Sequence, residues 1–212
     1  GYHLVNLLIH VANGFLVYWL VLLLFRAVNR PASWIPLLAA LLFLVHPIQT
    51  QAVTYIVQRF ASLVTLFYLL SVVCYLKWRP ALSDSERSIL WYLASLVSCL
   101  LAMKTKENSF TLPLMILLVE FVFFRPIRGR QWLALIPFLL MLPIIPFSRG
   151  DILGESEQFA RDVTPTGRLE YLFTSFRVIV AYLRLLVLPV NQSLDYEYPI
   201  YDSLFHPAVF PS

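Results

Sequence analysis

Apolar residues run through the chain in long blocks, at about 4–25, 34–46, 60–76, 89–103, 110–124, 132–147 and 171–188, and each block ends in a short polar or proline-bearing break. A helix crossing the ~30 Å hydrocarbon core of a bilayer takes roughly 20 residues. The pattern predicts an all-α, polytopic transmembrane bundle of about six to seven spans, organised as one membrane domain. The breaks carry helix-ending signals: Arg26, Arg30 and Pro31; His46-Pro47; Lys77-Trp78-Arg79-Pro80; Lys104 to Asn108; and Arg125 to Arg130 with Pro126 and Gly129. The stretch IQTQAVTYIVQR, 48–59, is too polar to cross alone and reads as a loop or a shallow helix at the interface. Residues 171–188 are long enough to cross but carry Arg177 and Arg184, seven apart and so on one helical face. An arginine at mid-bilayer costs at least ~2.5 kcal/mol on insertion scales, so this helix either turns both arginines to a polar cavity or lies at the interface.

Composition removes water as the main solvent. Of 212 residues 59% are hydrophobic and 13% charged, and the mean hydropathy is +0.75; a soluble domain carries about 25% charge. The net charge of +4 is scattered between the blocks, with no basic face or interleaved aromatics of the kind that binds nucleic acid. Cys74 and Cys99 each sit inside an apolar run, where a reduced thiol acts as a small hydrophobe. With Gly1 in front and a fresh apolar patch just before Pro211-Ser212, the chain reads as a piece cut from a longer protein.

The cations then give direction. One set of alternating breaks holds Arg26, Arg30, Lys77, Arg79, Arg87, Arg125, Arg128 and Arg130; the other short breaks hold Arg59, Lys104 and Lys106. Short-loop Lys/Arg bias marks the cytoplasmic side. His46 to Arg59, Lys104 to Asn108 and a polar outer loop at 148–170 are thereby predicted to share the extracytoplasmic side.

Within this frame the polar residues form a few constellations. His3, Asn6, His10 and Asn13 are spaced 3, 4 and 3 apart and line one face of the first block. Facing lipid they would be expensive, so they serve either as interhelical hydrogen bonds or as the wall of a substrate cavity. His46, Gln49 and Gln51 offer an imidazole and two amides suited to sugar hydroxyls, and Arg59 a fork for phosphate, or equally an interfacial loop satisfied by water and headgroups. Lys104 and Lys106 sit on the side disfavoured for cations, which suggests an anion such as a lipid phosphate, with Glu107 as the alternative neutraliser. Glu120 is expected to pair with the Arg125 region, and Asp151, Glu155, Glu157 and Asp162 to form a solvated face. No metal-ligand spacing, nucleophile elbow or phosphate-binding glycine loop is present.

YHLVNLLIHVAN, HPIQTQAVTYIVQR and KTKENSFTLPL together, with the tail FRVIVAYLRLLVLPVNQSLDYEYP, resemble the membrane domain of bacterial tetratricopeptide-repeat proteins. Those proteins are related to the transmembrane and tetratricopeptide-repeat-containing O-mannosyltransferases of the glycosyltransferase C superfamily. The resemblance implies a glycosyltransferase C-like bundle in a bacterial inner membrane. It also implies transfer of a sugar from a polyprenyl-phosphate carrier to a protein or glycan acceptor on the outer side. On this reading Arg59, Lys104 and Lys106 contact carrier phosphate, and His46, Gln49, Gln51 and Glu107 contact sugar or acceptor. It further implies an acidic catalytic pair in a loop ahead of the first span and a soluble repeat domain behind the last. Gln49 and Gln51 stand where the animal enzymes carry His and Glu, which removes a carboxylate. The competing expectations are a non-catalytic transporter or scaffold, and a degenerate relative that keeps the fold without transfer.

Overall fold

A computed structural model describes residues 2–55, 58–79, 85–124, 129–143 and 168–190; the expected outer loop 148–170 lies almost wholly outside them, with its four acidic residues. The chain falls into two compact units, Gly1–Ser148 and Arg149–Ser212. The described residues form α- and 3-10 helices joined by short turns, with no strand among them.

The first unit begins with α1, Tyr2–Ala27, an uninterrupted apolar run of 26 residues without proline. It stops where Asn29 takes a left-handed φ of 53°. The Arg30 and Asn29 amides turn back onto the Phe25 and Arg26 carbonyls, both at 3.0 Å, closing the helix with a Schellman motif. The second helix, α2, covers Ile35–Val45, with Pro36 in its first turn, where a missing amide costs nothing. It runs back along α1 so closely that a Cβ on Gly14 would lie 2.6 Å from a methyl of Leu44. Ahead of Pro47, His46 is extended (φ −65°, ψ 126°), the conformation proline imposes on its predecessor. A 3-10 turn, Pro47–Gln49, and the short α3, Thr50–Thr54, follow at an angle of 51° to α2.

The central element is α4, Arg59–Trp78, which packs against both α1 and α5, Ser85–Thr105. Its small polar residues allow close approach. Ser71 and Ser95 each donate to the other's backbone carbonyl, at 2.9 and 2.7 Å, in a reciprocal clasp between α4 and α5. A 3-10 turn, Glu107–Thr111, leads into α6, Leu112–Phe123, and then α7, Gly129–Leu140. The core gathers Val73, Tyr75, Leu76, Cys99, Leu112 and Ile116, all essentially inaccessible.

Among the described residues two helices are long and apolar enough to cross a membrane, His3–Ala27 and Arg59–Trp78, and the bent pair Ile35–Val45 with Pro47–Thr54 makes up to three. The apolar blocks predict six to seven. The difference is helix length: α2, α6 and α7 have 11, 12 and 12 residues, so each is only about 17 Å long at 1.5 Å per residue. The sixth block ends early as helix, since α7 stops at Leu140 and 144–147 lie outside the described residues. Leu4, Phe15, Val45 and Leu118 stand exposed among many other large apolar side chains. Such continuous apolar surface belongs in lipid, and the chain is a membrane protein.

Glu120 is fully buried and engages Arg79; the expected partner region at 125–128 lies outside the described residues. The Arg79 guanidinium forks onto both carboxylate oxygens at 2.6 to 3.0 Å, and the Tyr75 hydroxyl donates to Oε2 at 2.8 Å. The reason is topology: α6 runs alongside α4 in the same direction, so its last turn meets the last two turns of α4.

The second unit contributes α8, Arg168–Val187. Along it Arg177 is half-buried and Arg184 exposed, while neighbouring Leu185 is buried. Sharing a helical face has not given the two arginines the same surroundings.

Candidate functional site

Because α1 and α4 start at the same end of the first unit, and α2 and α5 finish there, the topology brings the 46–59 and 104–111 segments to one end of the bundle. His46, Gln49, Gln51, Arg59, Lys104, Lys106 and Glu107 all belong to these segments. They come from two stretches about fifty residues apart in sequence.

The polar face of α1 holds the first of these segments. Asn6, His10 and Asn13 are buried, at 0%, 5% and 2% exposure, whereas His3 is exposed. The Asn6 amide donates to the Tyr55 carbonyl at 3.1 Å and the Val53 carbonyl at 3.4 Å, and its Oδ1 accepts from Arg59 Nε at 3.4 Å. His10 bonds the Leu44 carbonyl through Nε2 at 3.1 Å and stacks on Phe43. Asn13 donates to the Ser62 carbonyl at 3.1 Å. The Leu44, Val53 and Tyr55 carbonyls lie where a helix ends or breaks, so there the seam supplies donors to backbone groups that regular helix leaves open, while the Ser62 carbonyl sits in the first turn of α4 and ties α1 to it.

The segment also satisfies itself. His46 Nδ1 accepts from the Ile48 amide at 3.2 Å and so caps the 3-10 turn. A neutral ring then carries its proton on Nε2. Thr50 Oγ1 donates to the Pro47 carbonyl at 2.7 Å, and Ser62 Oγ to the Ala52 carbonyl at 3.3 Å, tying the bend to the start of α4. Gln49, Gln51 and Arg59 are half-buried along this bend.

On the other segment Lys104 is exposed in the last turn of α5, where a cation also favours the negative end of the helix. Lys106 follows in extended backbone (φ −158°, ψ 148°) and is half-buried; Glu107 is exposed. Buried Ser109 donates to the Lys106 carbonyl at 2.7 Å and fixes the turn. Between this turn and α4 is a cavity of about 360 Å³ lined by Thr65, Tyr68, Lys106, Asn108 and Ser109 over an apolar floor. Sequence reasoning missed Thr65, Tyr68 and Asn108 as lining residues; the first two are buried in an apolar run and read as filler. Among the described residues no three His, Cys, Asp or Glu side chains come together as a metal cage. The arrangement offers cations, amides and hydroxyls at one end of an apolar bundle, a set suited to binding a polar, anionic group attached to a lipid.

Known proteins are similar to this sequence. Over 136 residues the chain is 33% identical to the Protein O-mannosyl-transferase TMTC2 of Mus musculus, covering 64% of this chain and 16% of that protein. Its human counterpart is 30% identical over 161 residues, 73% of this chain and 18% of that protein. The Protein O-mannosyl-transferase F38B6.6 of Caenorhabditis elegans is 29% identical over 205 residues, 93% of this chain and 27% of that protein. The chain thus spans less than a fifth of the length of these vertebrate relatives. No protein-family model and no solved structure matches it. The alignment with the worm protein runs nearly end to end along this sequence, so the likeness is not confined to one motif. The chain is related to the TMTC family of protein O-mannosyl-transferases.

Proposed function

We propose that this chain is the carrier-binding part of a membrane-embedded glycosyltransferase. In that enzyme a sugar, mannose by analogy with the relatives' names, passes from a polyprenyl-phosphate carrier to a protein or glycan acceptor. The transfer takes place on the extracytoplasmic side of a glycosyltransferase C-like bundle of six to seven spans, in a bacterial inner membrane. The single observation that carries the reading is the gathering of Arg59, Lys104 and Lys106 with His46, Gln49, Gln51 and Glu107 at one end of the first unit.

In the reaction an acceptor hydroxyl oxygen bonds to the anomeric carbon, the bond from that carbon to the carrier phosphate breaks, and the hydroxyl proton passes to a base. Charge grows on the departing phosphate. Arg59, Lys104 and Lys106 stabilise it there, as fixed cations do at developing oxyanions. His46, Gln49, Gln51 and Glu107 orient the sugar or acceptor through hydroxyl contacts.

The test replaces both Lys104 and Lys106 with Met in the full-length protein and measures transfer from labelled polyprenyl-phosphate mannose. Charge-assisted hydrogen bonds are worth ~1.5–3 kcal/mol each, so losing the pair lowers transfer at least tenfold or so. Unchanged transfer overturns the assignment. A second reading, a relative that binds carrier without transferring it, is favoured by Gln49 and Gln51 standing where the animal motif has His and Glu. It predicts carrier binding by the unaltered protein with no labelled product.

A further inference from the structure

The cavity beside Lys106 is graded along its length. Its α4 wall runs from Ala61 to Leu69 on a stripe spaced by threes and fours, about 12 Å of helix at 1.5 Å per residue. Val64 and Leu69 make part of that wall apolar, while Thr65 and Tyr68 place hydroxyls between them. The opposite wall is the 106–109 turn, which brings a cation and an amide over the same space. Neither Lys106 Nζ nor the Asn108 amide is hydrogen-bonded to another described residue.

The hydroxyls have capacity to spare. Thr65 Oγ1 donates to the Ala61 carbonyl at 2.8 Å, which leaves its lone pairs as acceptors. Thr111 Oγ1 donates to the Asn108 carbonyl at 3.1 Å, so in its 3.4 Å contact with the Tyr68 hydroxyl the tyrosine is the donor. A bond that long is near the limit and gives way readily to a better acceptor. One donor-acceptor amide, two hydroxyls and a cation around about 360 Å³ match a ring that bears several hydroxyls and a phosphate.

We propose that this cavity holds the glycosyl ring of a lipid-linked sugar phosphate. Asn108, Tyr68 and Thr65 contact the ring hydroxyls, Lys106 contacts the phosphate, and the apolar part of the α4 wall accompanies the first carbons of the lipid. The inference rests on the carrier-binding reading above and adds to it the residues that distinguish a sugar-bearing carrier from a bare one.

The experiment uses the full-length protein in lipid nanodiscs and two probes, polyprenyl-phosphate mannose and polyprenyl phosphate without the sugar, with affinity measured for each. Asn108→Ala and Tyr68→Phe each weaken binding of the mannosylated carrier about 3- to 10-fold, the worth of one hydrogen bond, and leave the bare carrier unaffected. Lys106→Met weakens both. If Asn108→Ala and Tyr68→Phe weaken both probes alike, or neither, the pocket assignment is overturned while carrier binding stands. If the unaltered protein binds neither probe, the carrier reading falls and the pocket with it. Tyr68→Phe keeps the ring that packs against the core, and Asn108 lies on an exposed turn, so neither change removes packing.

Discussion

The two ends of the first unit use the same kinds of residue in opposite ways. At the end where α4 and α6 finish, Arg26 and Arg30 stay exposed but two other cations are taken up by the protein: Arg79 forks onto buried Glu120 with Tyr75 beside it. There also Lys77 lies between Trp19 and Trp91, 4.2 and 3.9 Å from their ring centroids. At the end where α4 begins, Lys104 is exposed and Lys106 borders a cavity. An ionic group already satisfied by protein contributes to fold and register. One left facing open space is available to a ligand. The contrast separates cations that hold helices together from cations that bind, which residue type alone does not do.

The strongest test of the contrast is removal of Glu120. Breaking one side of a buried ion pair costs about 3–5 kcal/mol, because the remaining charge is left without its partner. Glu120→Ala should therefore lower the unfolding free energy in mixed micelles by that amount, without a selective loss of carrier affinity among molecules still folded. The double replacement Arg79→Met with Glu120→Leu should be less harmful than Glu120→Ala alone, since it removes both charges together. A double variant as unstable as the single one would mean that packing, rather than charge, holds α6 to α4.

A smaller effect is expected at the open end. Asn6→Ala deletes two donors to the Val53 and Tyr55 carbonyls and one acceptor for Arg59, and leaving such buried groups unsatisfied costs ~1–3 kcal/mol. Because those bonds hold the bend, trypsin should cut after Arg59 faster in this variant, and carrier binding should weaken along with stability. Loss of stability with unaltered binding would separate the seam from the site. Smaller again is Ser71→Ala, which removes one arm of the clasp with Ser95. Interhelical hydrogen bonds in membranes average ~0.6 kcal/mol, and a thermal shift of that size with intact binding is expected.

How far this division could be read from sequence varies residue by residue. The spacing of Asn6, His10 and Asn13 identified a face that must be covered, and it is covered; the same spacing included His3, which is exposed. Periodicity fixes the side of a helix, not how far along it the neighbours reach. Alternation of the apolar blocks correctly grouped the 46–59 and 104–108 segments at one end, because short connections force neighbouring helices to reverse. For Glu120, nearness along the chain points to Arg125, which lies outside the described residues, while the partner that is seen, Arg79, is 41 positions away on a helix that runs parallel. The grouping of breaks already put Arg79 at that end, so the signal existed. The number of crossings is less legible than the presence of helix: hydropathy measures how apolar a block is, while breaks such as the 3-10 turn at Glu107–Thr111 decide how much of it is one continuous helix.

The finest test applies one substitution at both ends. Lys77→Met retains an apolar stem against Trp19 and Trp91 and deletes only the charge over their rings. Cation–π contacts are worth ~0.5–1 kcal/mol where water reaches them and ~2 when desolvated. The half-exposed Lys77 should therefore cost about 1 kcal/mol of stability and leave carrier affinity unchanged. Lys106→Met deletes the same charge from a side chain with no ring or carboxylate against it among the described residues. Its stability should stay within about 0.5 kcal/mol, as for other surface changes, while carrier affinity falls. The two variants thus carry identical chemistry and differ only in what surrounds the ammonium group. A loss of carrier affinity in Lys77→Met, or a loss of stability in Lys106→Met, would show that the ends are not divided as their contacts indicate.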